Sequence, residues 1–337
     1  MGKFVAKRLL WMAFILFVVS LITFILMHAV PGGPFTMEKR LPERTIEQLN
    51  LKYNLDAPLP AQYLKYVGDI VLPTIYTGEQ QKSLDHQYLI NLPLPFGNNA
   101  MLRWMNFGPS YRATSRTVND IFRENLPISM QLGVLSVVFA VILGIPLGII
   151  AALKRNTWYD YTGMGIAIFG VSVPVIVSAP ILQYVLGVQW HVLPLTGWGN
   201  IAQMILPVFT IGFGLSAGVA RLTRASVLQV LNEDYIRTAR AKGLKERRVI
   251  FNHVLQNSMI PVITILGPTL AYTMAGTFVV ETIFGIPGMG KYFVTSVTGR
   301  DYPVIMGTIL LMASLLVIAN VVVDIVYAMM DPRIRYA

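Results

Sequence analysis

The sequence predicts an all-α integral membrane protein with six transmembrane helices and a long extracytoplasmic loop after the first of them. Three observations carry this. Of 337 residues, 54% are hydrophobic and only 13% charged, where soluble domains carry about 25% charged residues. Six stretches are apolar over roughly 20 residues or more, the length a helix needs to cross the bilayer core. The basic residues also collect in alternate connections between these stretches, as the positive-inside bias requires.

The first stretch, 9–30, follows Lys3, Lys7 and Arg8. Its apolar run is too long for a signal-peptide core and no small-x-small cleavage site follows, so it is read as an uncleaved anchor. The others are 128–153, 161–188, 201–228, 255–280 and 304–330. With a cytoplasmic N-terminus, the inner side holds Lys3, Lys7, Arg8, Lys154, Arg155, Arg221, Arg224, Arg237, Arg240, Lys242, Lys245, Arg247, Arg248, Arg333 and Arg335. The short outer loop 281–303 holds only Lys291 and Arg300. The long loop 31–125 is exempt, because long segments translocate whatever their charge. Both termini are therefore expected in the cytoplasm. The net charge of +10 is a topology signal, not a sign of nucleic-acid binding.

Other chemistries are excluded early. The chain has no cysteine, so disulfides and thiolate metal sites are absent. Its four histidines, at 28, 86, 191 and 253, lack metal-ligand spacing. Pro146, Pro174, Pro180, Pro207 and Pro268 fall inside spans, where neighbouring helices can re-satisfy the backbone. Gly144-x-x-x-Gly148 permits close helix approach.

The loop 31–125 is the one sizeable polar segment. Pro42 opens a helix through Tyr53 and Pro60 a second, with Tyr63, Leu64 and Val67 as its apolar side. The stretch 72–107, rich in Pro, Asn and Gly, reads as irregular; its aromatics Tyr76, Tyr88, Phe96, Trp104 and Phe107 suit a membrane interface. Ser115 or Thr117 caps a short helix leading to Pro127.

Three motifs invite a catalytic reading and fail it. GIPGMGKY at 285–292 has the spacing of a phosphate loop, but Tyr292 stands where Ser or Thr must hold magnesium, and a membrane helix precedes it in place of a strand. It reads as a glycine-proline turn before a short interfacial segment. Gly214-Leu-Ser216-Ala-Gly218 lies within an apolar helix and has no histidine at its depth, so it is packing and not a nucleophile elbow. Glu281 at the outer end of span five, and Asp324 with Asn320 near the inner end of span six, sit too near the interfaces for a proton relay and suit pairing there.

The most informative stretch is cytoplasmic, residues 229–254 and onward. Asp234 is a candidate N-cap, about eight helical residues follow, and Gly243 suits a left-handed C-cap. On this helix Tyr235, Ala239 and Lys242 share one face, where alanine lets a partner backbone approach. A solvated basic loop would explain the charge, but not a capped helix with small residues among the bases.

This segment resembles the EAA loop of type I ABC importer permeases, E-A-A-x3-G-x9-I-x-L-P. Ala239, Gly243 and Leu255 match; Arg237-Thr238 occupies the first two positions, and His253 and Gln256 replace the Ile and Pro. YIRTARAKG is the form typical of the peptide-transport branch. The resemblance extends along nearly the whole chain, through KRLLWM, FILMHAVPGGPF, GPS at 108–110, TVNDIF at 117–122, AALKRNTWYDY at 151–161, ARLTRAS at 220–226, ETIFGIPGMGKYF at 281–293, RDYP at 300–303 and the terminal DPRIRYA. The stretch 72–107 is longer than in shorter family members.

The resemblance implies a type I permease fold divided as 1–30, an anchor; 31–125, an extracytoplasmic lid; and 126–337, a five-helix core carrying the coupling loop 229–254. It implies a multi-pass protein of the prokaryotic cytoplasmic membrane that imports oligopeptides or dipeptides; other relatives move nickel chelates, glutathione or oligosaccharides. The implied partners are a homologous second permease forming a heterodimer, two cytoplasmic ATPases that bind ATP and Mg, and an extracytoplasmic peptide-binding protein. No cofactor and no catalytic residue is expected on this chain. The implied ATPase-coupling helix is Asp234, Tyr235, Arg237, Thr238, Ala239, Arg240, Ala241, Lys242, Gly243 and Leu244. Glu281, Gly285, Pro287 and Gly288 are candidates for an outer mouth or gate. The alternative, a proton-coupled secondary transporter, calls for inverted repeats and discontinuous helices around midplane carboxylates, neither of which is visible in the sequence.

Overall fold

The computed structural model describes residues 2–35, 42–76, 85–95, 100–113 and 115–330. Arg333, Arg335, Phe96 and the DPRIRYA motif lie outside the described residues. The chain opens with α1 (Gly2–Ala29), α2 (Glu43–Lys52) and α3 (Leu59–Val71), then strands β1 (Thr74–Tyr76), β2 (Ile90–Pro93) and β3 (Met101–Trp104). There follow α4 (Val118–Leu153), α5 (Trp158–Ser172), α6 (Val175–Leu182) with a π-helical continuation Gln183–Gln189, and α7 (Ile201–Leu231). The last part holds α8 (Asp234–Ala241), α9 (Glu246–Val249), a π-turn Ile250–Val254, α10 (Leu255–Met274), α11 (Phe278–Ile283), α12 (Gly290–Gly299) and α13 (Tyr302–Met330).

Among the described residues, five helices are long and apolar enough to cross a membrane: Leu10–Ala29, Val118–Leu153, Ile201–Leu231, Glu246–Met274 and Tyr302–Ile325. A sixth crossing is made if α5 and the segment Val175–Gln189 count as one span, bent by 101°. The third span was expected as one crossing over 161–188. Pro174 breaks it: a residue before proline is driven out of the helical region, and Val173 sits at φ −88, ψ 114. The fifth span is also displaced from 255–280. It starts earlier, because α9 runs into α10 through the π-turn, and stops at Met274, because Gly276 turns the chain at φ +113 before the separate α11.

By packing, the chain divides into two units. One is Ala6–Pro127 with Met289–Ser314. Within it, α2 and α3 form where the prolines placed them, Pro42 just before α2 and Pro60 in the first turn of α3. The stretch 72–107 departs from expectation. Its described part holds a three-stranded antiparallel sheet in the order β1-β3-β2, with Ile75 and Leu92 both paired to Leu102. Thr117 caps α4 reciprocally with Asp120: its hydroxyl accepts from the Asp120 N–H at 3.1 Å and its own N–H donates to Asp120 Oδ2 at 2.9 Å. That helix was expected to be short, but it runs on through Pro127 to Leu153. The core is Phe107, Val118, Ile121, Phe122, Met289 and Val304. The GPS and RDYP motifs meet here, for Asp301 accepts from the Ser110 hydroxyl and from the Tyr111 N–H.

The other unit is Met1–Val5, Ile128–Gly288 and Leu315–Ala337. Here α4 lies against α7 at glycine contacts. A Cβ on Gly144 would come 2.6 Å from Ser216 O, and one on Gly148 2.6 Å from Ala220 O. The G-x-x-x-G pair is therefore intrachain packing, and Ser216, whose hydroxyl donates to Phe213 O, is a buried helical serine. A bidentate pair of Asp160 and Arg224, both bonds 2.7 Å, ties α5 to α7. Leu132, Ala179, Leu206, Ile211, Val280, Phe284 and Ile286 form the core.

Candidate functional site

Two parts of the second unit hold the residues singled out above. The first is the segment between α7 and α10. The chain leaves α7 at Asn232, turns at Glu233 (φ −69, ψ 146), and re-enters helix at Asp234. Asp234 was expected at the N-cap; it is instead the first helical residue, where its charge complements the positive helix end. The N-cap is Glu233, whose side chain makes no capping bond, while Asp234 is 94% exposed and accepts from Arg237 at 3.5 Å.

The far end of α8 is closed as a Schellman motif. The Gly243 N–H donates to Arg240 O at 2.9 Å and the Leu244 N–H to Ala239 O at 3.4 Å, with Gly243 left-handed at φ +76. Leu244 packs onto the cluster that contains Ala239, the apolar contact that accompanies this cap. The glycine was expected there for this reason, and the geometry matches.

The face of α8 differs from expectation. Ala239 was expected to face a partner with Tyr235 and Lys242. It is 7% exposed and Ile236 is fully buried; the two sit i, i+3 apart and share a face. They pack with Ala152 at the end of α4, Val227 of α7, Val249 of α9 and Val254 of the π-turn. Thus Ala239 brings α8 close to its own chain. The outward face is Asp234, Tyr235, Arg237, Thr238, Ala241 and Lys242, all exposed. Arg240 bridges α8 to α9 through Glu246 at 2.7 and 3.1 Å, which keeps its guanidinium firmly protonated. The Tyr235 hydroxyl accepts from Asn257 at 3.1 Å, and burial raises it above the ordinary tyrosine value, so it stays neutral. Buried Ile236, Val249 and Val254 were missed, although Ile236 and Ala239 at i, i+3 in a polar helix was a readable signal.

The second part is the turn after α11. Glu281 is 1% exposed. Its Oε1 accepts from the Ser129 hydroxyl at 2.8 Å and from the Thr277 N–H at 3.1 Å. Ser129 carries no sequence signal and was not foreseen. Gly285 is left-handed at φ +61, and beside it the Gly197 N–H donates to Phe284 O at 2.8 Å. Pro287 is exposed. Gly288 is buried against the carboxylate: a Cβ there would stand 2.5 Å from Glu281 Cδ and from Ser129 Oγ. The turn therefore packs on its own carboxylate, and GIPGMGKY is not a phosphate cradle.

The two parts do different work. One is a rigid short helix wedged onto the ends of three long ones; the other is a turn stapled by a buried acid. Long apolar helices of this number are those of a multi-span membrane protein. The chain belongs to the family of binding-protein-dependent transport system inner membrane components: that family's model matches residues 144–336, and the model of its N-terminal component matches residues 1–133. It is thus a multi-pass inner-membrane transport subunit with the type I permease fold. It is 39% identical to the dipeptide transport system permease protein DppB of Bacillus subtilis, over 99% of this chain and 98% of that one. It is 38% identical to the oligopeptide transport system permease protein OppB of Salmonella typhimurium over the whole of both chains. With DppB of Lactococcus lactis it shares 35% over 99% of this chain and all of that one. The proton-coupled alternative gains no support from any of these likenesses.

Proposed function

We propose that this chain is the membrane-spanning permease subunit of an ATP-driven importer of dipeptides or oligopeptides. The observation that carries this is the end-to-end similarity to peptide permeases, at 35–39% identity, combined with a capped helix set on the ends of α4, α7 and α10. In this reading both termini are cytoplasmic. Residues 31–125 form an extracytoplasmic lid that faces a peptide-binding protein, and 126–337 form the core, with 229–254 as the coupling loop. A homologous second permease completes the translocation path as a heterodimer, and two cytoplasmic ATPases bind ATP and Mg.

Packing supports the coupling role. Ile236 and Ala239 lock α8 onto three long helices, and close-packed interiors transmit displacement instead of absorbing it. A push on the outward face of α8 by a closing ATPase is passed to α7 and α10 as a rigid-body rotation. Arg240 and Glu246 keep α8 and α9 moving as one piece. At the other part, Glu281, Gly285, Pro287 and Gly288 are assigned to the outer mouth, where a staple that forms and breaks would serve as a gate.

The test is a gentle-detergent pull-down of this chain from its native membrane, with mass spectrometry of the companions. A second permease and two ATPases are expected, with ATP hydrolysis stimulated by the peptide-loaded binding protein. Recovery of this chain alone, while a control importer stays whole, would refute the reading.

A further inference from the structure

Two hollows meet at one histidine near the C-terminal end of α1. The first is an apolar groove of about 560 Å³ between α1 and α3, lined by Leu21, Phe24, Ile25, Tyr63 and Leu64, with His28 at its mouth. The second is a pocket of about 240 Å³ with a mixed lining; it shares Phe24 and His28 with the groove and adds the charged Lys52, Lys65 and Asp69 among aromatic residues.

The level of α3 along α1 is set by hydrogen bonds. The Tyr63 hydroxyl lies 2.8 Å from Ser20 Oγ and donates to Phe17 O at 3.4 Å. Ser20 stands midway along the apolar span Leu10–Ala29, roughly 13 Å from its end at 1.5 Å per residue. A hydrocarbon leaflet is about 15 Å deep. So the Tyr63 side chain of α3 reaches alongside the span to the depth of one leaflet. The helix's Leu59 and Leu64 are 49% and 69% exposed, as an amphipathic helix sunk into a membrane interface requires. That leaflet is the outer one in the orientation proposed above.

We propose that the two hollows form a binding site for one anionic phospholipid of the surrounding bilayer. An acyl chain occupies the groove, and the phosphate reaches His28, Lys52 and Lys65. The groove is continuous with the exposed apolar side of α1 at Ile22, Ile25 and Leu26, so a chain enters it directly from the membrane. His28 Nδ1 donates to Phe24 O at 2.8 Å, which leaves Nε2 as the ring atom available to a ligand. Two lysines outweigh the one carboxylate, Asp69, that lines the same pocket. A transmembrane helix from another subunit would also fill the groove, but it would offer no anion to the lysines of the neighbouring pocket. A phospholipid satisfies both ends.

The test uses the whole importer complex in nanodiscs with phosphatidylglycerol or phosphatidylethanolamine carrying a photoreactive acyl chain, and maps cross-links by mass spectrometry. Labelling of residues 21–29 and 59–64 by phosphatidylglycerol is expected, and Leu64→Trp abolishes it by plugging the groove. Lys52→Gln with Lys65→Gln reduces it roughly tenfold or more, as two lysines at an anionic surface warrant. All three positions are exposed, and intact assembly of the complex confirms folding. Three results overturn the proposal: equal labelling by the two lipids, labelling that Leu64→Trp reduces no more than Ile142→Trp on α4 does, or a cross-link joining the groove to a helix of another subunit.

Discussion

Replacing Gly243 isolates one physical cause. The residue sits at φ +76, and no heavy atom lies within 4 Å of the place its Cβ would occupy. A substitution there meets no clash, and its cost is backbone strain alone. For an L-residue in the left-handed region that cost is about 1–2 kcal/mol. Asparagine tolerates the region best, and a β-branched residue worst. A loss of 1–2 kcal/mol shifts the closed cap by roughly 5- to 30-fold, and the cap fixes where α8 stops and α9 begins. The assay is uptake together with binding-protein-stimulated ATP hydrolysis in proteoliposomes holding the full complex. Activity is expected to fall in the order Gly, Asn, Ala, Val, with Gly243→Val uncoupled. If Gly243→Val keeps both activities, the coupling assignment is wrong. If Gly243→Asn is as damaging as Gly243→Val, the left-handed geometry is not the cause.

Two further substitutions probe the spans. Gly288→Ala drives a methyl onto the buried Glu281 carboxylate and Ser129 hydroxyl, 2.5 Å away. Overpacking of this kind costs about 1–3 kcal/mol, so a thermal midpoint of the detergent-solubilised complex equal to wild type would contradict the staple. Asp160→Asn leaves Arg224, which is 28% exposed, without its charge partner. Breaking a fully buried pair costs about 3–5 kcal/mol, and this partly exposed one less; a double-mutant cycle with Arg224→Gln is expected to return a clear coupling energy, and strict additivity would show that the pair contributes nothing.

What was legible in the sequence follows from range. Apolar runs and basic loops are local, so the long helices and the short helix between α7 and α10 are readable. The Gly243 cap was readable too, because glycine has a conformational reason to stand there. Pro174 is tolerable within a span on sequence grounds; whether a membrane proline kinks or breaks a helix depends on neighbours far away in the sequence. The sheet escaped because its strands are three or four residues long, too short for alternation to register, and because β1, ending at Tyr76, pairs with β3, which starts only at Met101. Ala239 was assigned outward from its size, whereas its direction is set by Val227, Val249 and Val254. Asp160 finds Arg224 64 positions away, and nothing local announces that pairing.

The central claim is that α8 touches an ATPase. The chain has no cysteine, so Thr238→Cys, on the exposed face of α8, gives a single reactive site. The measurement is cross-linking with a short thiol-to-amine linker in inside-out membrane vesicles from cells expressing the complete importer, with Thr295→Cys, exposed on α12, as the control. Thr238→Cys is expected to join an ATPase subunit, and Thr295→Cys to join none. Labelling of Thr238→Cys by a membrane-impermeant thiol reagent from outside intact cells, with no ATPase cross-link, would contradict the account.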